Sequence, residues 1–453
     1  MNREISPLDG RYRDRVGQLG DYFSEFALAE ARCAIELCYV EALDETGLFS
    51  KLSDEERSRI TAAKETFGEA DFGRIQEIER AIRHDVKACE LYCRERLSLA
   101  NPNLIHFGLT SADVNTLAYA RILTRYRDEA QLPQVRALFE RLVELAERWK
   151  GVPFPARTHG QPASPTTAGK EMAVFVGRLL RQADRLRAFR FRGKLSGATG
   201  TYASFAIAFP EFDWIGFADA FVTGLGFEPN RCTTQIDDGD ALAEYFGITA
   251  RINGIVLDLD RDAWEYVSRG EWVQRAADGE VGSSTMPHKV NPIRFENSEG
   301  NLTISNALLH ALSEKLTASR MQRDLSDTTV RRNIGVALAH AHLALGETMR
   351  GLDEIEVAAD VARAHVDAAP AVLTEAIQSV LRAEGADDPY ETVRRFARGK
   401  AMTLDQLRAF VDGLPVSEEA RTRLSALRPS DYVGLAERIC EETTARARAW
   451  LAG

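Results

Sequence analysis

No run of 18 consecutive apolar residues occurs in the 453-residue chain, so the sequence offers no membrane-spanning helix. Its six cysteines, Cys33, Cys38, Cys89, Cys93, Cys232 and Cys440, form no CxxC pair and match no common zinc spacing. Low-complexity tracts are missing, and at 45% hydrophobic residues the chain is too apolar for a disordered one. Positive charge is in short supply: 57 Lys and Arg face 68 Asp and Glu, a formal net charge of −11. Non-specific nucleic-acid binding needs many cationic contacts to phosphate, so that class is set aside. The opening residues MNREISPLDGRYRD hold no apolar signal region. These absences lead to the expectation of a cytoplasmic protein with reduced thiols and no membrane partner.

Proline is absent between Pro229 and Pro287 and again between Pro292 and Pro370. Proline breaks helix interiors, so these gaps leave room for long helices. Leu132, Val135, Leu138, Phe139, Leu142, Leu145 and Trp149 follow the i, i+3, i+4, i+7 spacing of one helix face. Further helices are expected at roughly 169–192, 240–269, 295–318 and 332–354. Long antiparallel helices bury their stripes against one another, which predicts an all-α fold around a central bundle of about five long helices. Strand signals are sparse; Thr201–Phe209 is the one candidate for an extended segment. The expected division is a helical domain over 1–110, the bundle over 111–363 and a C-terminal helical domain over 364–453.

Three polar stretches interrupt the amphipathic pattern. Arg157-Thr158-His159-Gly160-Gln161-Pro162 lies in an expected loop between helices, where small residues around an imidazole suit a ligand-facing position. Gly282-Ser283-Ser284-Thr285-Met286-Pro287-His288-Lys289-Val290-Asn291-Pro292 joins two long helical segments. Its backbone N–H groups and Lys289 could wrap an anion. The plain alternative is a solvated linker, which would not need Lys and His beside Ser-Ser. Residues 320–333, RMQRDLSDTTVRRN, are rich in arginine. They read either as a solvated turn or as clamps for phosphate and carboxylate. Arg83-His84-Asp85-Val86-Lys87, Thr110-Ser111-Ala112-Asp113 and Asp9-Gly10-Arg11-Tyr12 are weaker pieces.

GSSTMPHKVNP resembles the signature loop GSSxMPxKxNP of the fumarase/aspartase superfamily. The order SPLDGRY, RHDVKA, TSAD, THGQP, TTQID, GSSTMPHKVNP, FENSEGN, QRDLSD is similar to the longer bacterial type of the adenylosuccinate lyase family. THGQ at Thr158–Gln161 sets the chain apart from fumarases and argininosuccinate lyases, which typically carry THLQ there. The resemblance runs from about Ser6 into the C-terminal domain. It implies a three-domain helical fold and a homotetramer whose active sites each draw on three subunits. It implies elimination of fumarate from adenylosuccinate, giving AMP, and from the succinylated aminoimidazole carboxamide ribotide (SAICAR), giving its amide AICAR.

The resemblance makes Ser283 the general base and His159 the general acid. Chemistry alone does not choose between Ser283 and Ser284. Lys289 is expected to stabilise the developing dianion, Glu296 to orient His159, and His84 to assist on the phosphate side. The implied binding set is Arg11, Tyr12, Arg83, His84, Asp85, Thr110, Ser111, Gln235, Ser284, Lys289, Asn291, Asn297, Arg323, Thr328 and Arg332. Met321 departs from the aromatic that the bacterial type can carry. The doublet Arg331-Arg332 leaves both side chains open as the phosphate contact. His340 and His342 stand two apart on an expected helix and do not face each other, so neither metal nor organic cofactor is expected. The rival readings are another superfamily lyase, such as argininosuccinate lyase or a carboxymuconate cycloisomerase, and a non-catalytic helical scaffold.

Overall fold

The computed structural model describes residues 3–275, 285, 286, 288–399 and 402–453. The elements that place the site begin with α1 (Glu25–Thr46), α2 (Glu69–Ile82), α3 (Asp85–Leu97), α4 (Ser111–Tyr126) and α5 (Leu132–Arg148). Strands β1 (Pro153–Thr158) and β2 (Gln161–Thr167) precede α6 (Ala168–Ala188) and α7 (Asp240–Ser268). Then come β3 (Trp272–Gln274), α8 (Ile293–Leu316), α9 (Ile334–Asp353), β4 (Ile355–Val357) and α10 (Ala359–Asp367). The five long helices read from the sequence are α5 to α9, with ends displaced by about a turn or less. Strands among the described residues make only three two-stranded pairs, so the fold is mostly α.

One local expectation changes. The Thr201–Phe209 stretch is not extended: Ala203–Ala208 is a short helix that buries Phe205. Its alanines favour helix, and a single aromatic is enough to anchor one turn. The α5 helix runs on without a break from the helix before it. The chain is helical from Ser111, and a π turn over Arg127–Gln131 carries it past Pro133. Proline has no N–H to give to the preceding turn, and the wider π turn absorbs that loss.

Contacts gather the chain into two compact units, each discontinuous in sequence. The first comprises Met1–Gln134, Ala183–Gly254 and Gly300–Ala344. In it, α1 packs on α3 and α4. Cys33, Cys89 and Cys93 are buried as small core side chains. The second unit comprises Val135–Gln182, Ile255–Glu299 and Leu345–Gly453. It buries the α5 stripe of Val135, Leu138, Phe139 and Leu142. Its short C-terminal helices close around a separate cluster that includes Leu373, Ile377, Val393, Leu407 and Val411.

Helices α7, α8 and α9 contribute residues to both units, and buried polar pairs set their register. In the first unit, Asn253 Nδ2 donates to Ser305 Oγ at 3.0 Å, and His340 Nδ1 lies 2.8 Å from Asn301 Oδ1. Burial lowers the pKa of both His340 and His342, which favours neutral, packed imidazoles. In the second, Thr348 Oγ1 donates to Asp260 Oδ1 at 2.8 Å, and Ser298 Oγ lies 2.8 Å from Thr348 Oγ1. Burial pushes the Asp260 carboxyl up to about 8.

Asp260 makes stability depend on pH. Its folded pKa lies above the unfolded value, so its contribution is complete below the usual carboxylate range. That contribution is lost as pH rises toward the folded pKa, at about 1.4 kcal/mol per pH unit. Asp260→Asn mimics the protonated acid and does not titrate. Thermal unfolding is expected to show the variant gaining on the wild type between about pH 5 and pH 8. Parallel profiles for the two proteins would remove Asp260 from this role.

Candidate active site

Within the first unit, a small cavity is lined by Arg32, Asn115, Tyr119, Arg323, Asp327, Thr328, Arg331 and Arg332, among others. Four guanidiniums facing one cavity make it locally cationic inside a chain of net charge −11. Arg323 Nη1 donates to Gln235 Oε1 at 3.2 Å, while its Nε is buried and has no hydrogen-bond partner among the described residues. Gln235 Nε2 in turn donates to the Ala198 carbonyl at 3.0 Å. Thr328 sits on the short helix Ser326–Arg331, 3.5 Å from Arg323 Nη2.

The arginine doublet divides its work. Arg331 is buried, stacks 5.6 Å over the Tyr119 ring and pairs with Asp327 at 3.4 Å. Arg332 is more exposed; its Nε donates to Glu25 at 3.0 Å, and Nη2 lies 3.5 Å from Asp85 Oδ2. Asp85 also accepts from Arg32 Nη2 at 2.8 Å. Burial pushes the Asp85 carboxyl up, but Arg32, the Val86 N–H and Arg332 outweigh it and hold the pKa below the usual range.

Two helix starts bring more of the expected residues into this unit. Arg83 ends α2 in the left-handed region, at φ 57°, which turns the chain sharply into α3. His84 caps α3: its Nδ1 accepts from the Lys87 N–H at 3.1 Å. The neutral ring therefore carries its proton on Nε2, the nitrogen left for a ligand. Thr110 caps α4, with its N–H given to Asp113 Oδ2 at 2.8 Å, and Ser111 opens that helix. Arg11 and Tyr12 stand just before a short helical turn, with the guanidinium 6.0 Å over the Tyr12 ring.

In the second unit, the expected loop around His159 is a β-hairpin. Thr158 pairs with Gln161, so His159 and Gly160 form the two-residue turn, at φ 53° and 75°. A type I′ turn needs positive φ at both positions. Glycine takes this freely, but a histidine there is strained, and strain of this kind collects at functional sites. The hairpin tip leaves the imidazole exposed. Ser283 and Ser284 lie outside the described residues. Lys289 is exposed, and its N–H donates to the Met286 carbonyl at 3.1 Å. Asn291 precedes α8, while Glu296 and Asn297 lie in its first turns. Within this chain the Glu296 carboxylate accepts from Trp264 Nε1 at 3.0 Å.

Some residues at the cavity were not singled out from the sequence. Arg32 stands on α1 between the buried Ala31 and Cys33 and donates to Asn115 Oδ1 at 2.8 Å. A charge on a core-facing helix position was the signal available for it. Asn115 and Tyr119 follow Ser111 at helical spacing, which places them on neighbouring parts of the α4 surface. Among the described residues, no group of three or more His, Cys, Asp or Glu side chains could hold a metal ion. None of the described helices is long and apolar enough to cross a membrane.

Comparison with known proteins matches residues 10–305 to a family described as lyase and residues 319–433 to the C-terminal segment of adenylosuccinate lyase. The chain is 42% identical over 446 residues to adenylosuccinate lyase of Haemophilus influenzae, covering 97% of this chain and 98% of that one. It is equally similar, with the same coverage, to adenylosuccinate lyase of Escherichia coli strain K12. The crystal structure of 3-carboxy-cis,cis-muconate lactonizing enzyme from Pseudomonas putida superposes with a TM-score of 0.76 at 21% identity, over 98% of this chain and 100% of that one. At that identity the likeness concerns the fold alone.

A ligand that binds only the folded state stabilises it, by about 2.7 kcal/mol at 100 times its Kd. AMP, a phosphate monoester, is expected to raise the melting temperature of the wild type. Arg323→Gln should lose most of that rise while melting normally without ligand. An undiminished rise in the variant would take Arg323 out of the anion contacts.

Proposed function

This chain belongs to the adenylosuccinate lyase family, and from that premise we propose that it eliminates fumarate from adenylosuccinate and from SAICAR. The observation that carries the reading is the cavity lined by four arginines in an acidic chain. Both substrates hold two carboxylates and a phosphate, and a polyanion needs local positive charge whatever the net charge of the protein. Bidentate guanidinium contacts suit carboxylate and phosphate oxygens alike.

The reaction is a β-elimination. Ser283 takes a proton from the carbon beside a carboxylate, and the electron pair spreads into that carboxylate. The C–N bond then breaks, its electrons pass to nitrogen, and His159 supplies the proton that nitrogen needs. Fumarate results, together with the free amino group of AMP or the primary carboxamide of AICAR. A serine is a weak base in water. Lys289 and the loop's backbone N–H groups favour its alkoxide and stabilise the dianion that forms.

In this reading the active protein is a homotetramer whose sites each combine three subunits. The exposure of Val174 on α6, Trp264 on α7 and Ile304 on α8, at 41–48%, supports burial of these helices against further copies. Glu296, which meets Trp264 within its own chain, then orients the His159 of another subunit.

The test is an ultraviolet assay following AMP and fumarate as adenylosuccinate is consumed. His159→Ala and Ser283→Ala are each expected to lower kcat by about 10²–10⁴-fold with modest loss of binding. Near-normal turnover in either would strip that residue of its role, and no absorbance change with the wild type would sink the reading itself. Mixing the two inactive variants should restore part of the activity, since different subunits supply the acid and the base. No recovery after confirmed subunit exchange would count against shared sites.

A further inference from the structure

One ion pair lies beneath the residues assigned above and has no part in their chemistry. Lys194 Nζ lies 2.7 Å from Asp113 Oδ1, and both side chains are 0% exposed. Lysine and aspartate are almost never fully buried unless paired, and an apolar pair of similar volume is often no less stable. Stability alone is therefore a weak account of this pair.

Its hydrogen bonds show what it joins. Asp113 Oδ2 accepts from the Thr110 N–H at 2.8 Å, which fixes the start of α4. Asp113 Oδ1 also accepts from the Ser196 N–H at 2.9 Å, and Lys194 Nζ donates to the Gly197 carbonyl at 3.0 Å. The pair thus ties Thr110 and Ser111 to the turn over residues 194–200. That turn is tightly built: Gly197 and Gly200 stand at φ 77° and 78°, and a Cβ on Gly200 would lie 2.0 Å from the Thr233 carbonyl oxygen. Ser196 Oγ lies 3.1 Å from Thr233 Oγ1. At the far side of the turn, the Ala198 carbonyl receives Gln235 Nε2, and Gln235 receives Arg323. Burial lowers the lysine's pKa and raises the aspartate's, while each partner opposes the shift in the other.

We propose that Asp113 and Lys194 are the positioning pair of the anion cavity, fixing the start of α4 at Thr110 and, through the turn over residues 194–200, holding Gln235 in place beside Arg323 before any ligand arrives. This rests on the reading of the cavity as the adenylosuccinate site. A carboxylate and an ammonium specify several hydrogen-bond directions at once, and an apolar pair specifies none. Preformed donors need no reorganisation when substrate binds, so the pair should act on binding more than on the chemical step.

Kinetics of Lys194→Met and of the double variant Asp113→Asn/Lys194→Met, checked for folding by circular dichroism, test this. The double variant leaves no unpaired buried charge. Both are expected to raise KM for adenylosuccinate about tenfold or more, with kcat falling less than about threefold. A folded double variant with KM within about twofold of wild type would overturn the proposal, as would a fall in kcat at unchanged KM. Amide hydrogen exchange in the unliganded wild type decides the matter even if the variants do not fold. Residues 194–200 should exchange as slowly as the core of α4, and fast exchange there would refute a preformed cavity. A wild type that releases no fumarate contradicts the proposed function instead, and leaves the exchange result to judge the pair.

Discussion

The register of the long helices α7, α8 and α9 is the constraint on which the rest depends. These helices run for 29, 24 and 20 residues. Apolar stripes of that length bury well in more than one sliding position, because burial is non-directional. Buried polar contacts remove that freedom. Asn253 with Ser305, His340 with Asn301, and Thr348 with Asp260 and Ser298 each fit one alignment only. A slip would leave their donors or acceptors unpaired in the core, a loss larger than the net gain of an ordinary hydrogen bond. With the register set, the helix ends are set too. The segments that follow α7 and α8 carry the signature loop and the arginine-rich stretch.

Electrostatics follows from the same economy. The chain is acidic overall, yet Arg32, Arg323, Arg331 and Arg332 face one cavity. Asp85, Asp327 and Glu25 each pair with one or more of them, so the arginines are oriented without being fully neutralised. Arg331 shows the division of labour within a doublet. It is buried against Tyr119 and Asp327 and builds the wall, while the more exposed Arg332 reaches Glu25 and Asp85. The ion pair of Asp113 and Lys194 belongs to the same layer of support, one step further from the ligand.

Helix existence was legible along the chain because amphipathic spacing and proline gaps are local signals. Three things were not. The passage of the chain past Pro133 depends on a π turn, and periodicity sees only the proline. The hairpin under His159 has no strand signature in the sequence because β1 contains prolines at 153 and 155 and β2 at 162 and 165, which weaken any strand pattern. The two compact units are each assembled from three separated stretches, and no composition shift marks such joins.

By itself the sequence determined the helical class and the places of the five long helices, and GSSTMPHKVNP and THGQ carried its resemblance to the lyase family. Those are matters of local propensity and of residue types at short spacing. Only the tertiary structure decided that His159 occupies the strained turn of a hairpin, that Arg32 joins the arginines of residues 323–332, and that Lys194 meets Asp113 in the core. Residues separated by 81 positions, as Lys194 and Asp113 are, become neighbours only when burial and hydrogen bonding select one packing of the whole chain.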